Sequence, residues 1–437
     1  MYDRIRGAAL TVAAALSVAL SVPAGAIEIQ EVTSPGGIQA WLVEDHAIPI
    51  VSVAFAFRGG AAQDPEDKPG VANLMSGLLD EGASGLDSKA FQARLDELSI
   101  ELSYNAGRDT FSGSMRTLSE NIDDAELLLR LSVRYPRFDE EPVERIREQI
   151  LTSIRRAAND PGSVAGDQLM ATAFEGHPYG RPVSGTVETL SAVTRGDLLA
   201  YHRATFARDN LVVAVTGDIT SERLAGFLDR VFGGLPQEPD LKEIAETEPA
   251  TGQRIDIEMA VPQANIRLVG PGIKRDDPDF MQAYVSAYIL GGGGFGSRLF
   301  EEVRENRGLA YGVGLGLGAY DRAGVVSAGT STRGDQADEV IDILEDEIRR
   351  YAETGPTEDE LQEAKDYLIG SYPLRFTTSR QIANQLLYIQ LDDLGIDYVN
   401  ERNGMIEALT LDDVSEAAAR LFGGGAFTIV TVGQAGS

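Results

Sequence analysis

One pattern of apolar and polar positions occurs twice in this chain. Residues 211–217 and 427–433 are apolar runs that end in glycine, which is typical of buried strands. Each run follows an amphipathic segment that begins with Thr and has an acid three residues later, Thr194 with Asp197 and Thr410 with Asp413. A Thr with an acid in the first turn is a helix start. The repeat predicts two halves that each close with a helix and a buried strand.

Within each half, strands come before helices. The strand-like runs 40–43 and 50–57 precede the first helical segment, and long helices then lead to the closing strand. Asp64-Pro65 in the first half has a weaker counterpart in Asp277-Pro278 of the second. Strands that are grouped apart from helices predict an α+β fold. We expect two duplicated domains, each an antiparallel sheet with helices packed on one face.

A linker separates the two copies. Residues 236–252 are rich in proline and acids and have no apolar period, which is typical of an exposed connection. We place the boundary near residue 245, between an N-terminal domain of residues 27–245 and a C-terminal domain of residues 246–437.

The first 26 residues differ from the rest of the chain. Arg4 and Arg6 precede an apolar run, 8–22, and Ala24-Gly25-Ala26 follows it. The run is shorter than the roughly 20 residues that a membrane helix needs, and the small residues match a signal-peptidase site. Residues 1–26 are therefore interpreted as a signal peptide, with an uncleaved amphipathic anchor as the alternative. Export, to the periplasm in particular, is expected.

Charge narrows the classes of function. The formal net charge is −30, and loss of residues 1–26 removes two arginines and one aspartate, which makes it more negative still. Such a surface repels phosphate backbones and anionic headgroups, so we expect no nucleic-acid or membrane partner. Cationic peptides or a basic partner would be favoured, although the charge also serves solubility. The chain has no cysteine and three histidines, and no hydrolase elbow or phosphate-binding loop is present.

The segment 70–83 resembles the zinc helix of the pitrilysin and mitochondrial-processing-peptidase family, the inverzincins. That family carries G-x-A-H-x-x-E-H there, but the three functional positions of this chain read Asn73, Ser76 and Gly77. An amide, a hydroxyl and a bare Cα offer no strong zinc ligand and no general base. The resemblance places the last metal ligand at Ser153, so that position is lost too. We expect no metal and no cofactor in this chain.

The resemblance extends through the second half, where residues 290–311 contain a glycine-rich run followed by Arg-x6-Tyr. In the family, this Arg and Tyr reach toward the zinc-bound substrate, which implies catalytic roles for Arg304 and Tyr311. A guanidinium and a phenol are suitable donors to a developing oxyanion. The glycines of the run are expected to bind substrate: Gly291, Gly292, Gly293 and Gly294. The implied arrangement of the two domains is a clamshell.

The strand after Gly308 leaves the position of Tyr311 open. Leu309, Val313, Leu315 and Leu317 alternate with small residues, and Tyr311 falls on their side of the strand. That alternation indicates a core tyrosine, whereas a place at the start of the strand would let the hydroxyl reach the rim of a chamber. His177, followed by Pro178, is interpreted as a turn residue rather than a ligand.

A chain that lacks the zinc-binding residues but keeps the Arg-Tyr pair resembles the non-catalytic member of two-chain peptidases in this family. The resemblance implies an exported subunit that binds peptide and supplies Arg304 and Tyr311 to a homologous partner that holds the zinc. Peptide hydrolysis would then require the partner. The alternative is a purely structural or peptide-binding module of the same fold with no role in proteolysis.

Overall fold

The computed structural model describes residues 27–433, so the expected signal peptide lies outside the described residues. The strands of the first half are β1 (Gln30–Thr33), β2 (Gln39–Glu44), β3 (Ile50–Arg58), β4 (Glu101–Ala106), β5 (Thr110–Leu118) and β6 (Leu211–Gly217). Its helices are α1 (Val71–Ser76), α2 (Ser88–Glu97), α3 (Ile122–Arg134), α4 (Glu140–Ala157), α5 (Pro161–Ala173), α6 (Val187–Ser191), α7 (Arg195–Thr205) and α8 (Ser221–Phe232).

The second half repeats this order. Its strands are β7 (Arg254–Glu258), β8 (Ala264–Pro271), β9 (Ala310–Tyr320), β10 (Ala323–Thr332) and β11 (Thr428–Gly433). Its helices are α9 (Phe280–Ala287), α10 (Arg298–Phe300), α11 (Ala337–Thr354), α12 (Glu358–Gly370), α13 (Ser379–Leu391), α14 (Tyr398–Glu407) and α15 (Leu411–Phe422). Residues 236–253, which include the expected boundary near 245, form no helix or strand.

The α+β fold with two duplicated domains is confirmed. The first sheet has the strand order β1-β2-β6-β3-β5-β4 and the second β7-β11-β8-β10-β9. Both are antiparallel except for one pair each, β2 with β6 and β7 with β11, which are parallel. In each sheet the parallel pair contains the closing strand of that half, which returns to the sheet after the helices. The repeated helix starts are also present, because Thr194 with Asp197 and Thr410 with Asp413 form reciprocal capping boxes.

Helices cover one face of each sheet, as expected. In the first half, Val51, Val53, Phe55 and Phe57 of β3 are buried in a core with α1, α3, α4, α7 and α8. In the second half, Ile266 and Leu268 of β8 are buried in a core with α9, α11 and α15. Alternate residues along each strand supply these cores, which is the consequence of the two-residue repeat of a strand.

The opposite face of each sheet is covered by a helix from the other half. Helix α13 of the second half packs on β3 and β6 of the first, and α5 of the first half packs on β8 and β11 of the second. The first contact is built on small residues, Ala54, Ala56 and Ala214, which lie against Ala383 and Leu386. Small side chains let a helix approach a sheet closely. The expectation of helices on one face alone is thus incomplete, because both faces of each sheet are apolar.

None of the helices described between residues 27 and 433 combines the length and the apolar character that a membrane span requires.

The exchange of helices predicts that the two halves unfold together. Leu386 on α13 is fully buried against the sheet of the other half, so Leu386→Ala should lower the free energy of unfolding by about 2–5 kcal/mol. Urea titration should show one transition that moves to lower denaturant. Tyr388→Ala, on the same helix at a side chain that is 60% exposed, is the control and should have a small effect. Two separate transitions, only one of which responds to Leu386→Ala, would contradict the prediction.

Candidate functional site

Helix α1 carries the degenerate zinc positions Asn73 and Ser76, Gly77 follows directly after its last residue, and Asp64 caps its start. The buried carboxylate of Asp64 accepts hydrogen bonds from the backbone N–H groups of Gly70 (2.7 Å) and Ala72 (2.9 Å), which satisfies donors that a helix start leaves unpaired. Gly70 has φ 104°, a left-handed conformation that glycine adopts at little cost. Burial raises the pKa of Asp64 to about 6 against the lowering effect of those two backbone donors.

Asn73, Ser76 and Gly77 lie together on the partly exposed face of α1, while Leu74 and Met75 are buried. The Ser76 hydroxyl donates to the Asn73 carbonyl oxygen at 2.8 Å. The space beside Gly77 is filled, because a Cβ added there would lie 2.8 Å from Cγ2 of Ile146 on α4. A histidine at this position would therefore collide with the adjacent helix.

The fourth degenerate position lies elsewhere on α4. Ser153 is exposed, and its hydroxyl donates to the Gln149 carbonyl oxygen of the preceding turn at 3.2 Å. The acids that follow α1 already have partners: Asp80 accepts from Gln92 at 3.2 Å, and Glu81 pairs with Arg145 at 2.6 Å. Between residues 27 and 433, no group of three His, Asp or Glu side chains is placed to hold a metal ion.

The three histidines lie apart and have structural partners. His177 precedes a 3₁₀ turn, where its Nδ1 accepts from the Tyr179 N–H (3.2 Å) and its Nε2 lies 3.0 Å from the Ala245 carbonyl oxygen. His202 lies 2.8 Å from the Val133 carbonyl oxygen, and burial lowers its pKa. His46 pairs with Asp218 at 2.6 Å. His177 therefore occupies the turn position that the sequence indicates.

The glycine-rich run packs mostly against its own domain. Helix α9 continues through the π-helical turn Tyr288–Gly292, and this turn presses on the edge strand β9. A Cβ on the buried Gly291 would lie 2.8 Å from the Leu315 backbone nitrogen, and one on Gly293 would lie 3.3 Å from the Tyr288 ring. Gly292 also lies beside Leu315, whereas a Cβ added to Gly294 would meet no atom within 4 Å. Close approach of two backbones explains at least Gly291 without a substrate.

Arg304 lies in the π-helical turn Glu301–Glu305 that follows α10. Its guanidinium carbon stands 4.8 Å from the centre of the Phe300 ring and 5.2 Å from that of Phe295. Its Nε lies 3.8 Å from a Glu305 oxygen, and 36% of its side chain is exposed. Cation–π contacts of this kind hold a guanidinium in place at a modest gain in free energy.

Tyr311 lies outside the core, with 85% of its surface exposed. A β-bulge is the reason. Ala310 pairs with Thr332 and Val313 with Thr330, so two residues of β9, Tyr311 and Gly312, oppose a single residue of β10. The extra residue shifts the alternation by one position. The prediction from alternation that Tyr311 lies among the apolar side chains of the core is therefore wrong at this point.

Tyr311 shares a hollow with residues that the sequence reasoning missed. We call it the Arg267 pocket; its volume is about 280 Å³ and it is lined by Gln263, Asn265, Arg267, Tyr311, Gly312, Gly329, Thr330 and Ser331. It lies on the face of the second sheet that α5 covers. The signal in the sequence was the polar alternation of Asn265 and Arg267 within an otherwise apolar strand. Among the described residues, no hydrogen bond or ion pair joins Arg304 to Tyr311, or either of them to α1.

A large depression, about 1120 Å³, lies between α9, β9, α12 and α13. We call it the tyrosine groove, because six of the 14 tyrosines of the chain line it: Tyr284, Tyr288, Tyr367, Tyr372, Tyr388 and Tyr398. Arg275, Arg375 and Arg402 also line it, with Asp392 as the acid, and Gly292 and Leu315 form part of its floor. Tyr and Arg are enriched at protein interfaces, whereas Lys and Glu are depleted there.

Two family models match the chain. The model described as insulinase, peptidase family M16, matches residues 40–187, and that described as the peptidase M16 inactive domain matches residues 192–368. The crystal structure of a peptidase M16 inactive domain from Pseudomonas fluorescens superposes with a TM-score of 0.87 at 30% identity, covering 93% of this chain and 98% of that one.

Curated relatives span nearly the same length. The chain is 26% identical over 404 residues to the non-peptidase homolog YmxG of Helicobacter pylori, which covers 92% of this chain and 93% of the relative. It is 27% identical over 407 residues to an uncharacterized zinc protease of Streptomyces coelicolor, covering 90% and 87%. One name describes a non-peptidase and the other a zinc protease. In this chain, positions 73, 76, 77 and 153 have no residue that can serve as a zinc ligand.

The purified chain should bind no stoichiometric zinc and cleave no peptide alone, which elemental analysis and a peptide assay can test. Replacing the four positions by Asn73→His, Ser76→Glu, Gly77→His and Ser153→Glu should not restore zinc, because Ile146 occupies the space of the residue 77 side chain. The same four replacements combined with Ile146→Ala are the comparison, since they remove that obstacle. About one zinc per unmodified chain would contradict this prediction.

Proposed function

The chain belongs to the insulinase-type (M16) peptidase family and is a non-peptidase homologue. From this premise, we propose that it is the non-catalytic subunit of a heteromeric zinc metallopeptidase. In this proposal it binds peptide and completes the active site of a zinc-bearing homologue. One observation carries the proposal. Tyr311 is 85% exposed, although the residues at the four zinc positions of this chain cannot bind zinc and the described residues contain no other group placed to hold a metal ion.

An exposed phenol has a defined chemical use. It donates one hydrogen bond, and a peptide carbonyl oxygen that gains negative charge during hydrolysis accepts it. Asn73, Ser76, Gly77 and Ser153 offer neither a zinc ligand nor a general base to generate that charge. A partner that holds zinc would supply them, and an exposed hydroxyl is accessible to such a partner.

Arg304 would assist through charge. Its side chain remains about one-third exposed while Phe295 and Phe300 hold it, so it is available for a charge-assisted contact with a peptide carbonyl or carboxylate.

The tyrosine groove supports the peptide-binding part of the proposal. Three of the large apolar side chains that are exposed lie along it, namely Tyr367, Leu374 and Tyr388, each at least 60% exposed. Exposed aromatic groups next to arginines are the composition of binding hot spots. Gly292 forms part of the floor of this groove, where the glycine-rich run would border a bound chain.

The structural alternative has its own support. Arg304 and Gly291 already have internal packing roles, and Ile146 occupies the space beside Gly77. A module that only binds peptide or only builds an assembly would also have these features. Measurements on a reconstituted complex separate the two functions.

Tyr311→Phe should lower turnover by the complex of this chain with its zinc-bearing homologue by roughly a hundredfold, the scale for loss of one oxyanion donor, with assembly and peptide binding preserved. Arg304→Ala should additionally weaken peptide binding. Tyr135→Phe is the matched control, since it removes a hydroxyl from an exposed tyrosine in the first half. Unchanged turnover with Tyr311→Phe would favour the structural alternative.

We also propose that the chain is exported, to the periplasm in a two-membrane bacterium, on the basis of residues 1–26. The chain isolated from the extracytoplasmic fraction should begin at Ile27, which amino-terminal sequencing can test. A chain that retains Met1 would contradict cleavage and favour the uncleaved anchor.

A further inference from the structure

The duplication places two equivalent sites in the molecule, one beside the start of each exchanged helix. In the first half, Ser52 of β3 pairs with Arg116 of β5. In the second half, Asn265 of β8 pairs with Ser331 of β10. Helix α13 begins beside the first pair and α5 beside the second. The two sites therefore occupy corresponding strand positions in the two sheets.

The site in the first half is closed. It encloses only about 10 Å³, because Ala54 lets α13 settle onto the sheet. Its polar groups are matched: the Ser52 hydroxyl lies 3.0 Å from that of Ser379, and Arg116 pairs with Glu101 at 3.1 Å. Glu101 also pairs with Arg380. Glu101 thus pairs with both arginines of this site.

The site in the second half is the Arg267 pocket, and it is open, at about 280 Å³. Arg267 replaces Ala54 and Gly329 replaces Ser114 in the equivalent strand positions. These two differences depend on each other, because a Cβ on Gly329 would collide with the Arg267 guanidinium. Within residues 27–433, Arg267 makes no hydrogen bond or ion pair. The sheet thus provides room for a partly buried guanidinium but no partner for it.

The neighbours of Arg267 are mostly neutral hydrogen-bonding groups. Asn265 donates to the Ser331 hydroxyl at 2.9 Å, and its side-chain oxygen is buried without a partner. An acid near the pocket is Asp160, at the start of α5. It already accepts from the N–H and hydroxyl of Ser163, both at 2.8 Å, and those bonds, with a smaller effect of Arg267, hold its pKa below the ordinary range.

We propose that the Arg267 pocket binds a carboxylate group of a peptide, either a Glu or Asp side chain or a free carboxyl terminus. The inference rests on the proposed peptide-binding function and adds a substrate class to it. A planar guanidinium binds a carboxylate through two parallel hydrogen bonds, and the side-chain amide of Gln263, which also lines the pocket, provides a further donor. The net charge of −30 repels anions at a distance, so this recognition depends on direct contact with Arg267.

Binding of three probe peptides to the full mature chain tests the proposal. The probes are otherwise identical alanine-based pentapeptides, with a central Glu and an amidated end, a central Gln and an amidated end, or a central Gln and a free carboxyl end. Calorimetric titration should show the Glu or the free-end peptide binding about tenfold more tightly than the neutral one, as expected for one charge-assisted contact. Which of the two binds more tightly identifies the source of the carboxylate.

Arg267→Met should abolish this preference. Arg333→Met is the matched control, because it removes the same charge from an exposed side chain next to the end of β10, and it should keep the preference. Gly329→Ala leaves the charge but displaces the guanidinium, so it should weaken the preference without removing the arginine. Thermal melts of each variant establish that it folds.

Equal affinities for all three peptides, or a preference that survives Arg267→Met, would overturn the proposal. The measurement needs no partner subunit. A loss of carboxylate preference with normal turnover by the reconstituted complex would refute this inference alone. An inactive complex with the preference intact would refute only the proposed role in catalysis.

Discussion

The exchange of α5 and α13 is the constraint on which the rest of the structure depends. Each sheet has two apolar faces, and the helices of its own half cover only one of them. Ala54, Ala56 and Ala214 in the first sheet and Val269, Val430 and Val432 in the second would otherwise face water, but all are buried at 2% exposure or less. Since each half completes the other, the hydrophobic effect fixes their relative position.

The same exchange creates the difference between the two halves. Both exchanged helices begin beside the paired strands at the centre of a sheet, where a duplicated chain has equivalent sites. Side chains then decide the outcome: Ala54 closes one site, and Arg267 with Gly329 opens the other. A duplicated fold can in this way retain one framework and place different chemistry in its two copies.

Loss of the metal site is a matter of packing as well as of ligands. Ile146 of α4 occupies the space beside Gly77, and the first turn of α1 remains anchored by the buried Asp64 carboxylate. The helix is therefore retained as part of the core, with Leu74 and Met75 fully buried. Replacing a ligand by a small residue allows the neighbouring helix to fill the cavity, which dispersion contacts favour.

The sequence by itself determined the duplication, the α+β class, the capped helices after Thr194 and Thr410 and the lack of zinc ligands, because local patterns and residue chemistry decide each of these. Tertiary structure alone decided three features. The helix exchange depends on which surfaces meet, and two-sided apolar strands do not reveal the partner. The exposure of Tyr311 depends on a bulge, which pairing with β10 creates and alternation cannot show. The room for the Arg267 guanidinium depends on Gly329 of the adjacent strand, which is far away in sequence and adjacent only after folding.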